Sequence, residues 1–282
     1  MHTAEWVQRP CRINYNNLII ILCLFLSGCT ITPPEIRAQN AAHLAASKNW
    51  QEQTIPTQTF TLKAYGPKPQ NQAKILTIYI EGDGLAWISA DRPSNNPTPS
   101  AFTGLKMALN DNSHYPVVYL ARPCQLVFNQ DQRNCEPANW TNARFSSQII
   151  NSMNQAVDHL KNVYHAQKII LIGYSGGGTV ATLIAARRHD IVKLITVAAV
   201  LDTQAWVKQE NLTTLNGSLN PADFWRNLIS VKQIHWVGGE DKIVPKEVAL
   251  AYANRFPTTQ KPKIIIVSGF DHRCCWDSLH LN

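Results

Sequence analysis

A serine held between glycines at the junction of a strand and a helix constrains this chain most. Gly173-Tyr174-Ser175-Gly176-Gly177 follows the apolar run at 168–172 and precedes a small-residue helical pattern at 179–187. This context predicts a tight turn that exposes the Ser175 hydroxyl at the tip of a strand. The glycines are needed because a Cβ would clash with the facing backbone. The N–H groups at the start of the following helix can stabilise a developing oxyanion.

A serine hydroxyl becomes a useful nucleophile only when a histidine takes its proton and a carboxylate orients that histidine. Two loops downstream supply these groups, each after a predicted strand. Asp241 follows the strand pattern at 234–239, and His272 follows the strand pattern at 263–267. The order of serine, acid and histidine is the one that accompanies a G-x-S-x-G turn.

Other acids compete with Asp241 for the orienting role. Asp202 ends the predicted strand at 194–200 and is the alternative acid, although an aspartate before a helix is also a common N-cap. Glu240 and Asp271 are neighbours in the relevant turns. The sequence does not favour a phosphate-binding loop, because Thr179 stands where the lysine of that motif is required.

Residues 73–278 resemble an α/β-hydrolase. The resemblance implies a mainly parallel sheet with helices on both faces, and the short segment at 201–230 implies no large cap domain. It also implies that Ser175 is the nucleophile, His272 the general base and acid, and Asp241 the orienting acid. Gly176 would give one oxyanion-hole N–H, and the second would come from Asp83 or Gly84. We expect the Asp83 side chain to point away, because a carboxylate would repel an oxyanion.

The N-terminus has the pattern of an export signal. Two arginines precede an apolar run at 18–26, which small residues and Cys29 follow. Leu26-Ser27-Gly28-Cys29 resembles the lipobox of bacterial lipoproteins, which implies lipidation at Cys29. We therefore predict a signal peptide at 1–28, a tether at 29–56 and the hydrolase domain at 57–282. Thr30, rather than aspartate, follows Cys29, as in lipoproteins of the outer membrane. The resemblance therefore implies an anchor in the outer membrane, with the enzyme facing the periplasm.

The charge distribution and the cysteines indicate which binding partners and which disulfides to expect. The chain of 282 residues carries a formal charge of +7, but its positive residues are scattered, so nucleic-acid binding is not indicated. No metal-ligand spacing is present, and neither a metal nor a cofactor is expected. Four cysteines remain after Cys29, which suggests disulfides in an exported protein. Three connectivities are open. We favour a bond between Cys124 and Cys135, because they flank one polar loop; a bond between the adjacent Cys274 and Cys275 is uncommon but stays open.

These observations together predict a lipid-anchored serine hydrolase of the bacterial cell envelope. Its expected substrate is a small-molecule or lipid ester, and the lipid at Cys29 would attach it to the membrane. The same residues also serve a peptidase, a thioesterase or an acyltransferase. A further alternative is a binding lipoprotein that keeps the fold without turnover.

Overall fold

Largely apolar segments of four to seven residues form the strands between residues 75 and 267. The computed structural model describes residues 31–69 and 73–281. Within them the strands form an eight-stranded sheet in the order β1-β2-β4-β3-β5-β6-β7-β8. The strands are β1 (Gln51–Pro56), β2 (Thr61–Gly66), β3 (Ile75–Ile80), β4 (Val117–Leu120), β5 (Lys168–Tyr174), β6 (Ile191–Val197), β7 (Gln233–Gly238) and β8 (Lys263–Val267).

The sheet is parallel from β4 to β8 and antiparallel where β1 and β2 join it. Parallel strands bring their carboxyl ends to one edge, where such sheets place their sites. Ile80 of β3 pairs with Gly173 of β5, which brings residues 81–83 beside the predicted serine turn. Gly238 of β7 pairs with Val267 of β8, which brings the loops of Asp241 and His272 together.

Helices cover both faces of the sheet, as predicted. Side chains of β5 alternate between the faces: Ile169 and Leu171 enter one core, and Ile170 and Ile172 enter the other. The helices are α1 (Pro34–Ala46), α2 (Thr103–Leu109), α3 (Ser147–Val163), α4 (Gly176–Ala185), α5 (Thr203–Gln209) and α6 (Lys246–Ala253). Helices α3 and α4 pack on the first core, and α1 and α2 on the second.

Residues 34–56, predicted to be part of the tether, belong instead to the folded unit that begins at Pro34. Helix α1 buries Ala41 and the Arg37 side chain, whose guanidinium donates to the carbonyls of Thr98 and Asn96. Strand β1 pairs with β2 along its whole length, although Ile55 is its only buried residue. An edge strand is held by backbone pairing more than by burial, so its sequence lacks the apolar alternation that predicts strands.

The segment after β6 contains no large cap in the described chain. It holds helix α5 and a 3₁₀ segment at Pro221–Leu228. Asn220 caps the 3₁₀ segment, and Ala222 and Leu228 are buried against the first core. The segment therefore packs on the body of the domain.

The cysteines within the described residues are joined in two disulfides. Cys124 is bonded to Cys135, as favoured from the sequence, with a Cα–Cα distance of 5.6 Å. Cys274 is bonded to its neighbour Cys275. The signal peptide predicted at 1–28 and the predicted lipidation site Cys29 lie outside the described residues. No helix of the described ranges is long and apolar enough to cross a membrane.

Candidate active site

Ser175 lies in the turn between β5 and α4, in a backbone conformation that residues other than glycine rarely adopt. Its φ is 50° and its ψ is −125°. Such a conformation costs free energy and persists only where the surroundings enforce it. The Ser175 N–H donates to the Val197 carbonyl at 2.8 Å, which ties the turn to β6.

The neighbouring glycines allow this turn to form. A Cβ on Gly173 would lie 2.5 Å from the Gly178 nitrogen, and a Cβ on Gly177 would overlap the backbone of residues 80 and 81. Backbone atoms cannot move aside as a flexible side chain can. The start of α4 therefore packs directly on β3 and β5, and this contact holds Ser175 in place.

His272 connects Ser175 to Asp241 through two hydrogen bonds. The Ser175 Oγ lies 3.0 Å from the His272 Nε2, and the His272 Nδ1 lies 2.8 Å from the Asp241 Oδ2. The second oxygen of Asp241 accepts the N–H groups of Ile243 at 2.9 Å and Val244 at 2.8 Å. The turn after β7 thus fixes the carboxylate, and one of its oxygens remains directed at the imidazole.

Asp202 does not contact His272 in this arrangement, so the alternative prediction that Asp202 is the orienting acid is wrong. Its Oδ1 accepts the N–H groups of Gln204 and Ala205, both at 3.1 Å, at the start of α5. It also accepts from the Asn220 side chain at 3.2 Å, and its other oxygen faces Arg255 at 3.4 Å. The N-cap interpretation therefore describes this residue, and capping accounts for its burial.

Two aromatic side chains hold the loop that carries His272. The Tyr174 hydroxyl donates to the His272 carbonyl at 2.8 Å, and the two rings lie 5.7 Å apart. The Trp276 indole N–H donates to the same carbonyl at 3.2 Å. In the sequence, the disulfide between Cys274 and Cys275 lies between His272 and Trp276. Sequence reasoning missed both aromatic residues, although Tyr174 occupies the variable position next to the serine.

The segment at Gly82 and Asp83 lies beside the serine turn. The Gln125 Nε2 donates to the Gly82 carbonyl at 2.9 Å, so the Asp83 N–H of the same trans peptide points the opposite way. A Cβ on Gly82 would lie 3.4 Å from the Ser175 Cβ, which shows how closely this segment approaches. Gly176 begins α4, and the first N–H groups of a helix have no acceptor within it.

Gly84 faces a different neighbour. Its φ is 67°, and a Cβ there would overlap the Pro97 carbonyl. Leu85 donates its N–H to that same carbonyl at 3.2 Å. Gly84 therefore serves the turn that packs residues 84–85 against residue 97, whereas Gly82 lies next to Ser175.

The comparisons with known proteins agree with this geometry. A family model described as serine hydrolase (FSH1) matches residues 100–272, which include the serine turn and both partner loops. The chain belongs to the FSH1 serine hydrolase family. No curated protein matches the sequence of this hydrolase.

Solved structures share the fold of the hydrolase at low sequence identity. Est1E from Butyrivibrio proteoclasticus is 16% identical, with a TM-score of 0.54 over 78% of this chain and 90% of that chain. The esterase Pf2001 from Pyrococcus furiosus is 12% identical, with a TM-score of 0.55 over 80% and 84%. XC6422 from Xanthomonas campestris, described as an α/β serine hydrolase without a lid, is 12% identical, with a TM-score of 0.51 over 82% and 88%. The predicted fold class is confirmed.

The Asp83 carboxylate does not point away from the serine turn of the hydrolase, so that expectation is wrong. It lies over Gly176, where a Cβ would overlap it, and forms ion pairs with Arg122 and with Arg144, the latter at 2.6 Å. Burial alone would raise the pKa of the Asp83 carboxyl, but Arg144 and Arg122 lower that pKa below its usual value. The protein neutralises this charge beside Ser175 by pairing it.

A second buried acid supports the same segment. The Glu81 carboxylate accepts the N–H groups of Gly82 at 2.9 Å, Gly104 at 3.1 Å and Leu105 at 3.3 Å. It thereby links the end of β3 to the start of α2. Burial raises the pKa of the Glu81 carboxyl, and these hydrogen bonds oppose that rise.

The side chains that commonly bind metals are dispersed through the described part of the chain. Among residues 31–69 and 73–281, no group of three or more His, Cys, Asp or Glu side chains is arranged to hold a metal ion. The Ser175 hydroxyl has the His272 imidazole as its hydrogen-bond partner.

The two aspartates give opposite expectations on mutation. Asp241→Asn should lower kcat by a factor on the order of 10⁴, because the imidazole loses the acceptor that holds its tautomer. Asp202→Asn should leave kcat nearly unchanged and change the free energy of unfolding little, because asparagine caps helices about as well as aspartate. Ester-hydrolysis kinetics and urea unfolding measure both variants. A loss of kcat in Asp202→Asn alone would contradict this assignment of the acid.

Proposed function

We propose that this protein is a carboxylic ester hydrolase of the bacterial cell envelope. Ser175 is its nucleophile, His272 its general base and acid, and Asp241 the acid that orients the histidine. The observation that carries the proposal is the unbroken hydrogen-bond chain from the Ser175 hydroxyl through the imidazole to the buried Asp241 carboxylate. Membership of a serine hydrolase family supports it.

The first half of the reaction forms an acyl-enzyme. His272 accepts the Ser175 proton at its Nε2 as the oxygen attacks the ester carbonyl. The carbonyl oxygen becomes an oxyanion that accepts hydrogen bonds from the N–H groups of Gly176 and Asp83. As the tetrahedral intermediate collapses, the C–O bond to the alcohol breaks, and His272 returns its proton to the departing alkoxide.

The second half releases the acid. A water molecule gives its proton to the His272 Nε2 and attacks the acyl carbon. The same two N–H groups hold the second oxyanion. When the bond to the Ser175 oxygen breaks, His272 protonates that oxygen and the enzyme is restored. Asp241 remains a carboxylate throughout and stabilises the imidazolium that forms in each half.

Esters are the substrates that we favour among acyl compounds. The alkoxide of an ester leaves more readily than the nitrogen of a peptide, so an ester makes a smaller demand on a site of this kind than a peptide does. One structure with the same fold carries the name esterase, and this agrees with the choice. A thioesterase, a peptidase or an acyltransferase would use the same residues, and a panel of substrates separates them. A binding lipoprotein would turn over none of them.

The location in the envelope depends on the N-terminal sequence. A basic start, an apolar run and Cys29 within a lipobox-like sequence support export and lipidation. Acyl chains on Cys29 would hold the enzyme at the outer membrane. The folded unit begins at Pro34, only five residues after Cys29. We therefore propose lipid esters, or smaller esters that partition into a membrane, as the substrate class.

The catalytic proposal predicts that Ser175→Ala and His272→Ala each abolish nearly all ester turnover, because the three residues act as a unit. Ser278→Ala and His280→Ala are matched controls on exposed residues near the same loop, and both should retain wild-type kcat. Hydrolysis of p-nitrophenyl esters of increasing chain length measures turnover, and circular dichroism checks folding. Wild-type activity in folded Ser175→Ala would refute the mechanism.

The lipid-anchor proposal predicts that Cys29→Ser abolishes incorporation of labelled palmitate, because the thiol that receives the lipid is missing. Cys23→Ser removes a cysteine from the predicted signal and should leave labelling intact, which makes it the matched control. Metabolic labelling followed by membrane fractionation measures both variants in bacterial cells. Palmitate labelling that survives Cys29→Ser would show that Cys29 is not the attachment site.

A further inference from the structure

Two arginines and one aspartate form a charged cluster against the start of α4. The cluster consists of Asp83, Arg122 and Arg144. The Arg122 and Arg144 side chains are only 4% and 9% exposed, and Asp83 is 22% exposed. A Cβ on Gly176 would lie 2.6 Å from the Arg122 Nη1 and would overlap the Asp83 carboxylate. The cluster therefore lies beside the residue that supplies one oxyanion-hole N–H in the proposed function.

Each guanidinium is also fixed by neutral partners. The Arg122 Nη2 donates to the Arg144 carbonyl at 2.7 Å, and the Arg144 Nε donates to the Thr141 carbonyl at 2.6 Å. Arg122 lies over the Phe145 ring, 5.3 Å from its centroid. These contacts hold the two cations in one geometry, with the Asp83 carboxylate between them. These three side chains together have one more positive than negative charge. The Glu81 carboxylate also interacts electrostatically with Arg122, but it accepts the N–H groups of Gly82, Gly104 and Leu105.

This excess of charge needs an explanation, because burying charged groups is costly. A buried ion pair gains little over apolar residues of the same volume, and a second buried cation adds a further desolvation cost. A carboxylate beside an oxyanion would raise the free energy of the transition state. A cluster with net positive charge lowers that free energy instead, because the charge that develops on the carbonyl oxygen is negative.

We propose that Arg122 and Arg144 are positioning residues of the oxyanion hole. They hold the Asp83 side chain so that its backbone N–H stays directed at the substrate carbonyl, and they reverse the sign of the charge that Asp83 alone would place there. The inference rests on the proposed function, because it requires an oxyanion at Ser175. It adds that the net charge of the cluster sets the rate of the chemical step.

A purely structural role for the arginines makes a different prediction. If the arginines only anchor the Asp83 side chain, removing its carboxylate as well as Arg122 also breaks the remaining ion pair with Arg144. The variant with both changes should then have a kcat no higher than that of Arg122→Gln. If net charge decides, removal of the carboxylate compensates for removal of one arginine. Arg122→Gln brings the cluster to zero, whereas Asp83→Asn with Arg122→Gln restores a charge of +1. A comparison of the single and double variants therefore separates the two roles.

The test measures kcat and KM for a neutral p-nitrophenyl ester with the full chain. Active sites are counted by fluorophosphonate titration, so that misfolded protein does not enter kcat. Arg122→Gln should lower kcat about 10²-fold, comparable to the loss of an oxyanion-hole donor, with little change in KM. The double variant should recover about tenfold of that loss, since the adverse carboxylate is gone. Arg122→Lys, which keeps the charge, should retain more activity than Arg122→Gln.

Arg188→Gln is the matched control for loss of a buried, paired arginine. Arg188 is 8% exposed and pairs with Asp158 at 2.6 Å and Asp190 at 2.8 Å, near the amino end of β6 and away from the site. Its loss should lower the melting temperature without changing kcat. If Arg122→Gln does not fold, Arg144→Gln with and without Asp83→Asn gives the same charge comparison.

The outcomes distinguish this inference from the function on which it rests. Absence of both labelling and turnover in wild-type protein would overturn the proposed function and the inference with it. An active wild type would overturn the inference alone in either of two cases. In the first, Arg122→Gln has wild-type kcat. In the second, the double variant is no faster than Arg122→Gln.

Discussion

The close contact between the start of α4 and the ends of β3 and β5 is the constraint on which the rest of the structure depends. Glycines at 173 and 177 permit it, because the facing backbone leaves no room for a Cβ. The contact forces Ser175 to a positive φ and places its hydroxyl above the carboxyl edge of the sheet. Asp241 and His272 reach the same edge because β7 and β8 are parallel to β5.

Two carboxylates lie at the same edge of the sheet, and each is compensated by hydrogen bonds or ion pairs. The segment after β3 brings Glu81 and Asp83 close to the place where negative charge would develop in the proposed reaction. Glu81 is directed away, into the N–H groups at the start of α2. Asp83 remains beside Gly176 and is paired with two arginines. The backbone of this segment is thus held rigidly while its charge is compensated, as preorganised sites require.

Residues within local motifs were predictable from the sequence, and residues whose contacts are long-range were not. The serine turn, Asp241 and His272 each follow a strand that the apolar pattern reveals. Arg122 and Arg144 lie in loops far from Asp83 in the chain, and no local sequence pattern predicts that the three side chains are in contact. Asp202 follows a strand just as Asp241 does, and only the tertiary structure shows that Asp202 caps α5 instead of orienting His272. Helix α1 has an alanine-rich polar sequence typical of a tether, and its burial depends on partners more than 50 residues away.

A crystal structure of the protein after reaction with a fluorophosphonate tests the central claim most directly. The phosphorus of the inhibitor imitates the tetrahedral carbon, and its non-bridging oxygen occupies the place of the oxyanion. We predict a covalent bond from the Ser175 Oγ to phosphorus, with the non-bridging phosphoryl oxygen accepting hydrogen bonds from the N–H groups of Gly176 and Asp83. A covalent bond at another residue, or a phosphoryl oxygen turned away from both N–H groups, would contradict it.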